Sequence, residues 1–279
     1  MKILLVGASG CFGTEFRKIV SKNKKIKLFC PPSKKINLID FEKVKKYIIK
    51  KNPNLVLNAA SIVGINQCEE NFFDAYELNS VSVLNLAKIC KNNKITMVQT
   101  STHAVFDGKK KSSYTEKDIP ISNNVYSSSK LAAEHFVRSM CPKYYIFRFP
   151  TMYGDRNNKL FGFVDKVIMN LKKNNKMLIA HDKIDSPSYA KDVAKEVLNV
   201  ILSKKYGIYH INNSGVSNYY NFVIYLKKLM FSKSKIIPVK DNYFKSTAEK
   251  PLRNSIKSYK LKSLRHWKIA LKEYISYLK

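Results

Sequence analysis

No stretch of the 279 residues approaches the ~18 consecutive apolar residues that a membrane span requires. The opening Met1–Lys2–Ile3–Leu4–Leu5–Val6 is too short for a signal-peptide core and runs straight into glycines. Five cysteines (Cys11, Cys30, Cys68, Cys90 and Cys141) form no C-x-x-C pair and no metal-like cluster. Their scatter excludes a disulfide framework and predicts reduced thiols, no metal site and a cytoplasmic setting. Acidic residues are scarce, 20 against 51 lysines and arginines, which leaves a formal net charge of +31. Arginine is scarcer still, with 6 against 45 lysines.

The shortage of arginine decides how that charge reads, because Arg is the side chain that forks onto phosphates and base edges. The excess is also evenly spread. Residues 1–154 carry 25 basic and 11 acidic groups (+14), and residues 155–279 carry 26 and 9 (+17). No basic arm stands out, and the longest run is Lys109–Lys111. With 25 asparagines alongside, the pattern is a compositional bias and predicts no nucleic-acid partner. A field of that sign still draws anionic small molecules. With 45% hydrophobic residues and 12% aromatics, the chain can bury a substantial core, which excludes global disorder.

In the first half, short β-branched runs alternate with helical spacing of apolar residues. Ile3–Val6, Ile26–Phe29, Leu55–Leu57, Ile95–Val98 and Tyr145–Phe149 read as buried strands. Phe12–Val20, Phe41–Ile49, Phe72–Cys90 and Ser127–Met140 read as the helices between them. This order predicts an α/β fold, a doubly wound parallel-sheet Rossmann domain, over residues 1–154. Residues 155–279 are expected to form a smaller C-terminal substrate-binding lobe, with about 189–211 returning to the sheet. There the pattern predicts helices at Leu160–Leu171, Tyr189–Leu202, Tyr219–Met230 and Trp267–Leu278, and strands near Met177–Ala180 and Ile208–Ile211. No internal repeat or low-complexity linker interrupts the chain.

Of nine glycines, three fall in Gly7–Ala8–Ser9–Gly10–Cys11–Phe12–Gly13, directly after the first strand and opening a helix. Glycines there permit a tight turn and let the N–H groups of Ser9, Gly10, Cys11, Phe12 and Gly13 reach a diphosphate. A lone glycine spacing is weak, but this strand–turn–helix context points to dinucleotide binding. After the second strand no acid stands where a ribose 2′-hydroxyl would be gripped, and Lys34 and Lys35 lie close by. NADP(H) is therefore preferred, with NAD(H) left open.

Tyr126 and Lys130 stand four apart on one helix face. The spacing alone says nothing, since about 2.7 such pairs are expected by chance in this composition. Tyr47 and Lys51 make the second pair, in a helix where a surface contact is the better reading. Context separates the two. Tyr126 follows the strand that carries Thr102 at its carboxyl end, beside the glycine loop. A nearby ammonium is expected to lower a phenol of pKa about 10 by ~1–3 units, into the range of a general acid, with Thr102 polarising a carbonyl.

Longer segments carry a resemblance. Asn58–Ala59–Ala60, Cys68–Glu69–Glu70, Ala75–Tyr76–Glu77–Leu78–Asn79 and Ser101–Thr102–His103–Ala104–Val105–Phe106–Asp107–Gly108 are similar to segments of the dTDP-4-dehydrorhamnose reductase family. So are Tyr114, Glu116, Asp118 and Pro120 in Y-x-E-x-D-x-P spacing, then Arg148, Tyr153–Gly154, Asp185–Ser186–Pro187–Ser188–Tyr189–Ala190 and Asp192. The likeness runs from residue 2 to about 255. It implies NAD(P)H-dependent reduction of a 4-keto-6-deoxy sugar on a nucleoside diphosphate by Thr102, Tyr126 and Lys130. It also implies that Lys130 and Tyr126 contact the cofactor, Asn37 and Leu38 its adenine, and Ala59 and Ala60 its backbone. Asn79 would buttress the site. The family's Asp, Tyr and Trp become His103, Ala104 and Thr151 here. These three are expected on the sugar side, with His103 first a hydrogen-bonded structural side chain. A nucleotide-sugar epimerase or dehydratase would place a second acid–base group after Thr102. A non-catalytic NADP-binding regulatory subunit of the same fold would bind without turnover. A homodimer is left open.

Overall fold

The computed structural model describes residues 1–156 and 162–278. Its frame is a six-stranded, all-parallel sheet of β1 (Lys2–Val6), β2 (Lys27–Phe29), β3 (Leu55–Asn58), β4 (Thr96–Thr102), β5 (Tyr144–Phe149) and a late edge strand, Gly207–His210. The order across the sheet is late strand, β5, β4, β3, β1, β2. Interior parallel strands are covered on both faces, which is why β1 reads as an unbroken apolar run. Ile3 and Leu5 face one side, with α1 (Cys11–Val20) and a later helix, Ala190–Ser203. Leu4 and Val6 face the other, with α2 (Phe41–Lys51), α5 (Ser82–Asn92) and α6 (Val125–Met140).

Local chemistry sets the helix starts. The Asp40 side chain accepts the Lys43 N–H at 3.0 Å to cap α2, and Asn124 with Ser127 forms a capping box on α6. The single helix expected over Phe72–Cys90 is broken. After the short α3 (Ile65–Glu70), α4 (Phe72–Tyr76) passes into a π turn over Glu77–Val81 before α5 begins. The π turn rotates Asn79 and Ser80 inward, where both are buried and bond across to neighbouring backbone and to Ser129. Apolar spacing carries no trace of such an inserted residue.

Past β5, the chain forms β6 (Met152–Tyr153), α7 (Phe163–Lys172), β7 (Met177–Ala180), β8 (Ile184–Asp185) and β9 (Ser188–Tyr189). Leu160, expected to begin α7, lies outside the described residues. The chain then returns to the sheet through α8 (Ala190–Ser203) and β10 (Gly207–His210), and continues through β11 (Asn213–Ser214), β12 (Ser217–Asn218) and α9 (Tyr219–Met230). The last elements are β13 (Ile236–Val239), β14 (Leu264–His266) and α10 (Trp267–Tyr277). A separate apolar cluster joins α7, α9 and α10 through residues such as Ile168, Phe222, Leu226, Trp267 and Leu271. β13 pairs in parallel with β7, and neither it nor β14 was marked by the sequence pattern. Among the described residues no helix is long and apolar enough to cross a membrane.

Candidate active site

The glycine turn after β1 is shaped by close approach. Gly7 adopts φ +78°, and a Cβ there would lie 2.4 Å from the Ala59 carbonyl carbon and the Ala60 nitrogen. A Cβ on Gly13 would lie 2.5 Å from the Gly7 oxygen. Gly10 is different. It caps α1 from an extended conformation, and a Cβ there would make only an ordinary contact, 3.6 Å from the Gly7 oxygen. The helix N-terminus therefore presents its backbone N–H groups to the cleft with no side chain in the way. Ser9 is exposed beside it, and Cys11 and Phe12 are buried, with burial pushing the Cys11 thiol up to about 12. Across the turn, Asn58 accepts the Ala60 N–H at 3.1 Å and bonds Gln99, fixing the Ala59–Ala60 backbone.

One cleft of about 540 Å³ joins this turn to the reactive side chains. Gly10, Cys11, Phe12, Gly13 and Ala59 line one end, and Thr102, Tyr126 and Lys130 line the wall. His103, Ala104 and Thr151 line it further out. Thr102 ends β4, and its oxygen accepts the Ala104 N–H at 3.1 Å, with its hydroxyl proton directed to Tyr126. Lys130, 2% exposed, donates to the Thr100 carbonyl at 2.8 Å. Asn79 grips Ile62 through both its backbone N–H and carbonyl, at 2.9 and 3.0 Å, and reaches Ser129. It ties the loop after Ala60 to the helix that carries Tyr126 and Lys130.

The electrostatics reverse one expectation. Tyr126 stands partly exposed on the cleft wall, yet the protein packed around its phenol pushes it up to about 12, with a hydrogen bond from Thr102 pulling back. Lys130 is brought down to about 8, by burial first, against the raising influence of Glu134. The predicted lowering of Tyr126 by its ammonium neighbour is not found. Burial sets the direction, and the Lys130 amine is turned to Thr100. Below, Arg148 and Glu134 form a doubly bonded pair at 2.9 and 2.6 Å, and Ser101 donates to the same carboxylate.

Other expected residues sit elsewhere. Leu38 is buried in the apolar cluster under α2, and the Asn37 side chain accepts the Ile39 N–H. Ala60 packs behind the turn, while Lys34 and Lys35 are exposed; none of these residues lines the cleft. Lys51 lies over the rings of Tyr47 and Phe29, as a surface pair would. Sequence reasoning missed Arg156, Lys183 and Tyr219, which also line the cleft. Arg156 pairs with Asp165 at 2.9 Å, and Lys183 lies over the Tyr219 ring at 5.4 Å. In a chain with 45 lysines, no local signal singles out Lys183.

The wall thus combines an open helix N-terminus, three cations and a hydroxyl–phenol pair. That donor set fits a diphosphate-bearing dinucleotide and a second anionic molecule. Among the described residues no cluster of His, Cys, Asp and Glu side chains could hold a metal ion.

Known proteins share this fold. A dTDP-4-dehydrorhamnose reductase of Clostridium acetobutylicum matches with a TM-score of 0.95 and 33% identity, covering 100% of this chain and 99% of that one. The dTDP-4-dehydrorhamnose reductase of Bacillus anthracis, solved in complex with NADP, matches in fold with a TM-score of 0.94 at 23% identity, covering 99% of each chain. The spore coat polysaccharide biosynthesis protein SpsK of Bacillus subtilis is 26% identical over 278 residues, 98% of this chain and 96% of that protein. The RmlD substrate binding domain family matches residues 1–279, and the chain belongs to that family.

Proposed function

We propose that the protein is an NADPH-dependent reductase of a nucleoside-diphosphate 4-keto-6-deoxy sugar. The observation that carries this reading is the shared cleft, in which the open N-terminus of α1 and the Thr102–Tyr126–Lys130 wall meet. Residues 1–154 serve as the dinucleotide domain, and residues 155–279 supply the lobe that receives the sugar nucleotide, apart from about 189–211, which return to the sheet. The fold held in common with a reductase solved with NADP supports the choice of cofactor. A cytoplasmic enzyme fits the scattered thiols.

The chemistry follows from the side chains. When bound, a reduced nicotinamide would supply the hydride that the sugar C4 receives. Thr102 donates a hydrogen bond to the carbonyl oxygen, and Tyr126 delivers the proton as that oxygen becomes an alkoxide. A phenol held at about 12 stays protonated throughout the neutral range, the form that reduction requires. Lys130, held at about 8, keeps an ammonium beside the site and helps the tyrosine recover its proton. The backbone of Gly10 to Gly13 would hold the cofactor diphosphate. Arg156 and Lys183 complement the charge of the sugar nucleotide.

A depressed lysine loses its charge as pH rises through its own value. Turnover is therefore expected to hold steady on the acid side of neutrality and fall above about pH 8. The test follows NADPH absorbance with a panel of nucleoside-diphosphate 4-keto-6-deoxy sugars across pH 5.5 to about 9.5, a window chosen to bracket a lysine near 8. Tight NADPH binding with no turnover on any sugar contradicts the reading and favours a regulatory subunit. A rate that rises through pH 8 contradicts the role of Lys130.

A further inference from the structure

His103 follows Thr102 directly, at the start of the short turn His103–Val105, and lines the same cleft as Tyr126. Its side chain is 13% exposed, and its Nδ1 is buried with no hydrogen-bond partner among the described residues. On its Nδ1 side the ring therefore lacks the hydrogen bond that a structural histidine would make. Asp185 stands beside Nδ1, with its Oδ1 3.6 Å away. Asp185 is itself buried and held rigidly. Its Oδ1 accepts the Ser186 N–H at 2.7 Å, and its Oδ2 accepts the Thr151 N–H at 3.4 Å.

A fixed carboxylate on one side of an imidazole selects the tautomer with the proton on that side. The proton then sits on Nδ1, facing Asp185, and Nε2 is left as a lone-pair acceptor. Since Nδ1 is sealed off, the exposed part of the side chain lies away from it, on the cleft. Burial keeps the imidazole below its usual pKa despite the pull of Asp185, and Lys183 adds to that. The ring stays neutral, as an acceptor must.

What could donate to it follows from the reaction. In a 4-keto-6-deoxy sugar, C5 carries the methyl group and C3 carries the hydroxyl next to the carbonyl. With Thr102 and Tyr126 on the carbonyl oxygen, C3 is the neighbouring carbon whose substituent can donate a hydrogen bond, since the C5 methyl cannot. We propose that His103, held by Asp185, accepts a hydrogen bond from the substrate's C3 hydroxyl and so selects sugars that carry one. This rests on the ketoreductase reading above. It makes His103 a specificity residue, and Asp185 a positioning residue that acts through it.

The experiment compares the nucleoside-diphosphate 4-keto-6-deoxy sugar with its 3-deoxy analogue, using wild type, His103→Ala, His103→Asn and His103→Gln. Asn places its amide where Nδ1 stands, keeping the contact with Asp185 and the fold but leaving the cleft empty. Gln reaches the Nε2 position. For wild type, removing the C3 hydroxyl is expected to lower kcat/KM about 10–100-fold. His103→Ala and His103→Asn should lose the same factor on the parent sugar and lose no more on the analogue. His103→Gln should recover most of the parent rate, with NADPH affinity unchanged in every case. If His103→Asn still discriminates between the two sugars as wild type does, the proposal falls while the reductase reading stands. If wild type reduces neither sugar, both fall.

Discussion

Tyr126→Phe is expected to lower kcat by about 10²–10⁴-fold, with NADPH binding and folding stability close to those of the wild type. That loss corresponds to roughly 3–5 kcal/mol of transition-state stabilisation. The asymmetry between rate and stability follows from the site. The phenol oxygen is bonded only lightly, by Thr102, and the ring remains after the substitution. Thr102 and Lys130 also remain, so the carbonyl is still bound and polarised, but no acid stands ready to give a proton. Water would have to supply it across a wall that holds the phenol at about 12. Steady-state turnover together with NADPH titration separates the two effects. A variant as fast as wild type contradicts the assignment of Tyr126.

Glu134→Ala is expected to destabilise the fold by about 3–5 kcal/mol, because it strands a buried guanidinium. Glu134 is 1% exposed and Arg148 2% exposed. Both guanidinium contacts at 2.9 and 2.6 Å end on this carboxylate. What remains around Arg148 is the face of Phe106 at 5.2 Å and the ring of His210 at 3.5 Å. Burial keeps His210 near a pKa of about 4, so at neutral pH it is an uncharged ring that cannot replace the carboxylate. Against a melting temperature that moves roughly 2–4 °C per kcal/mol in chains of this size, the drop is on the order of 10 °C. The site feels the loss as well. Glu134 stands one turn from Lys130 and raises its pKa, so any active variant should lose turnover at a lower pH than wild type. Thermal denaturation gives the first result, and an unchanged melting temperature contradicts it. Replacing both partners, as in Glu134→Leu with Arg148→Met, should restore much of the stability.

The parallel sheet was legible because buried parallel strands are written as apolar runs, as in β1 and β5, each followed by helical spacing. The glycine turn was legible for a similar reason. The Gly7 and Gly13 positions leave no room for a Cβ, and that constraint is written in residue type. The Tyr126–Lys130 pair needed its surroundings, since Tyr47 and Lys51 have the same spacing and no cleft. The direction of the Tyr126 shift was misread. Helix spacing shows that an ammonium is close, but not that Thr100 takes it or that burial wins. The π turn at Glu77–Val81 and the pairing of β13 with β7 depend on partners far along the chain. Lys183, Arg156 and Tyr219 reach the cleft from three separate stretches, which no local window could bring together.

The central claim is that C4 of a nucleotide sugar is reduced by a hydride from NADPH. It is tested most directly with NADPH carrying deuterium at the transferable position of the nicotinamide. The product of a nucleoside-diphosphate 4-keto-6-deoxy sugar is then read by mass and proton resonance. The account predicts one deuterium per molecule, bonded to C4, with one NADPH consumed for each sugar reduced. A converted sugar without deuterium at C4, or conversion that leaves the NADPH unspent, would contradict it.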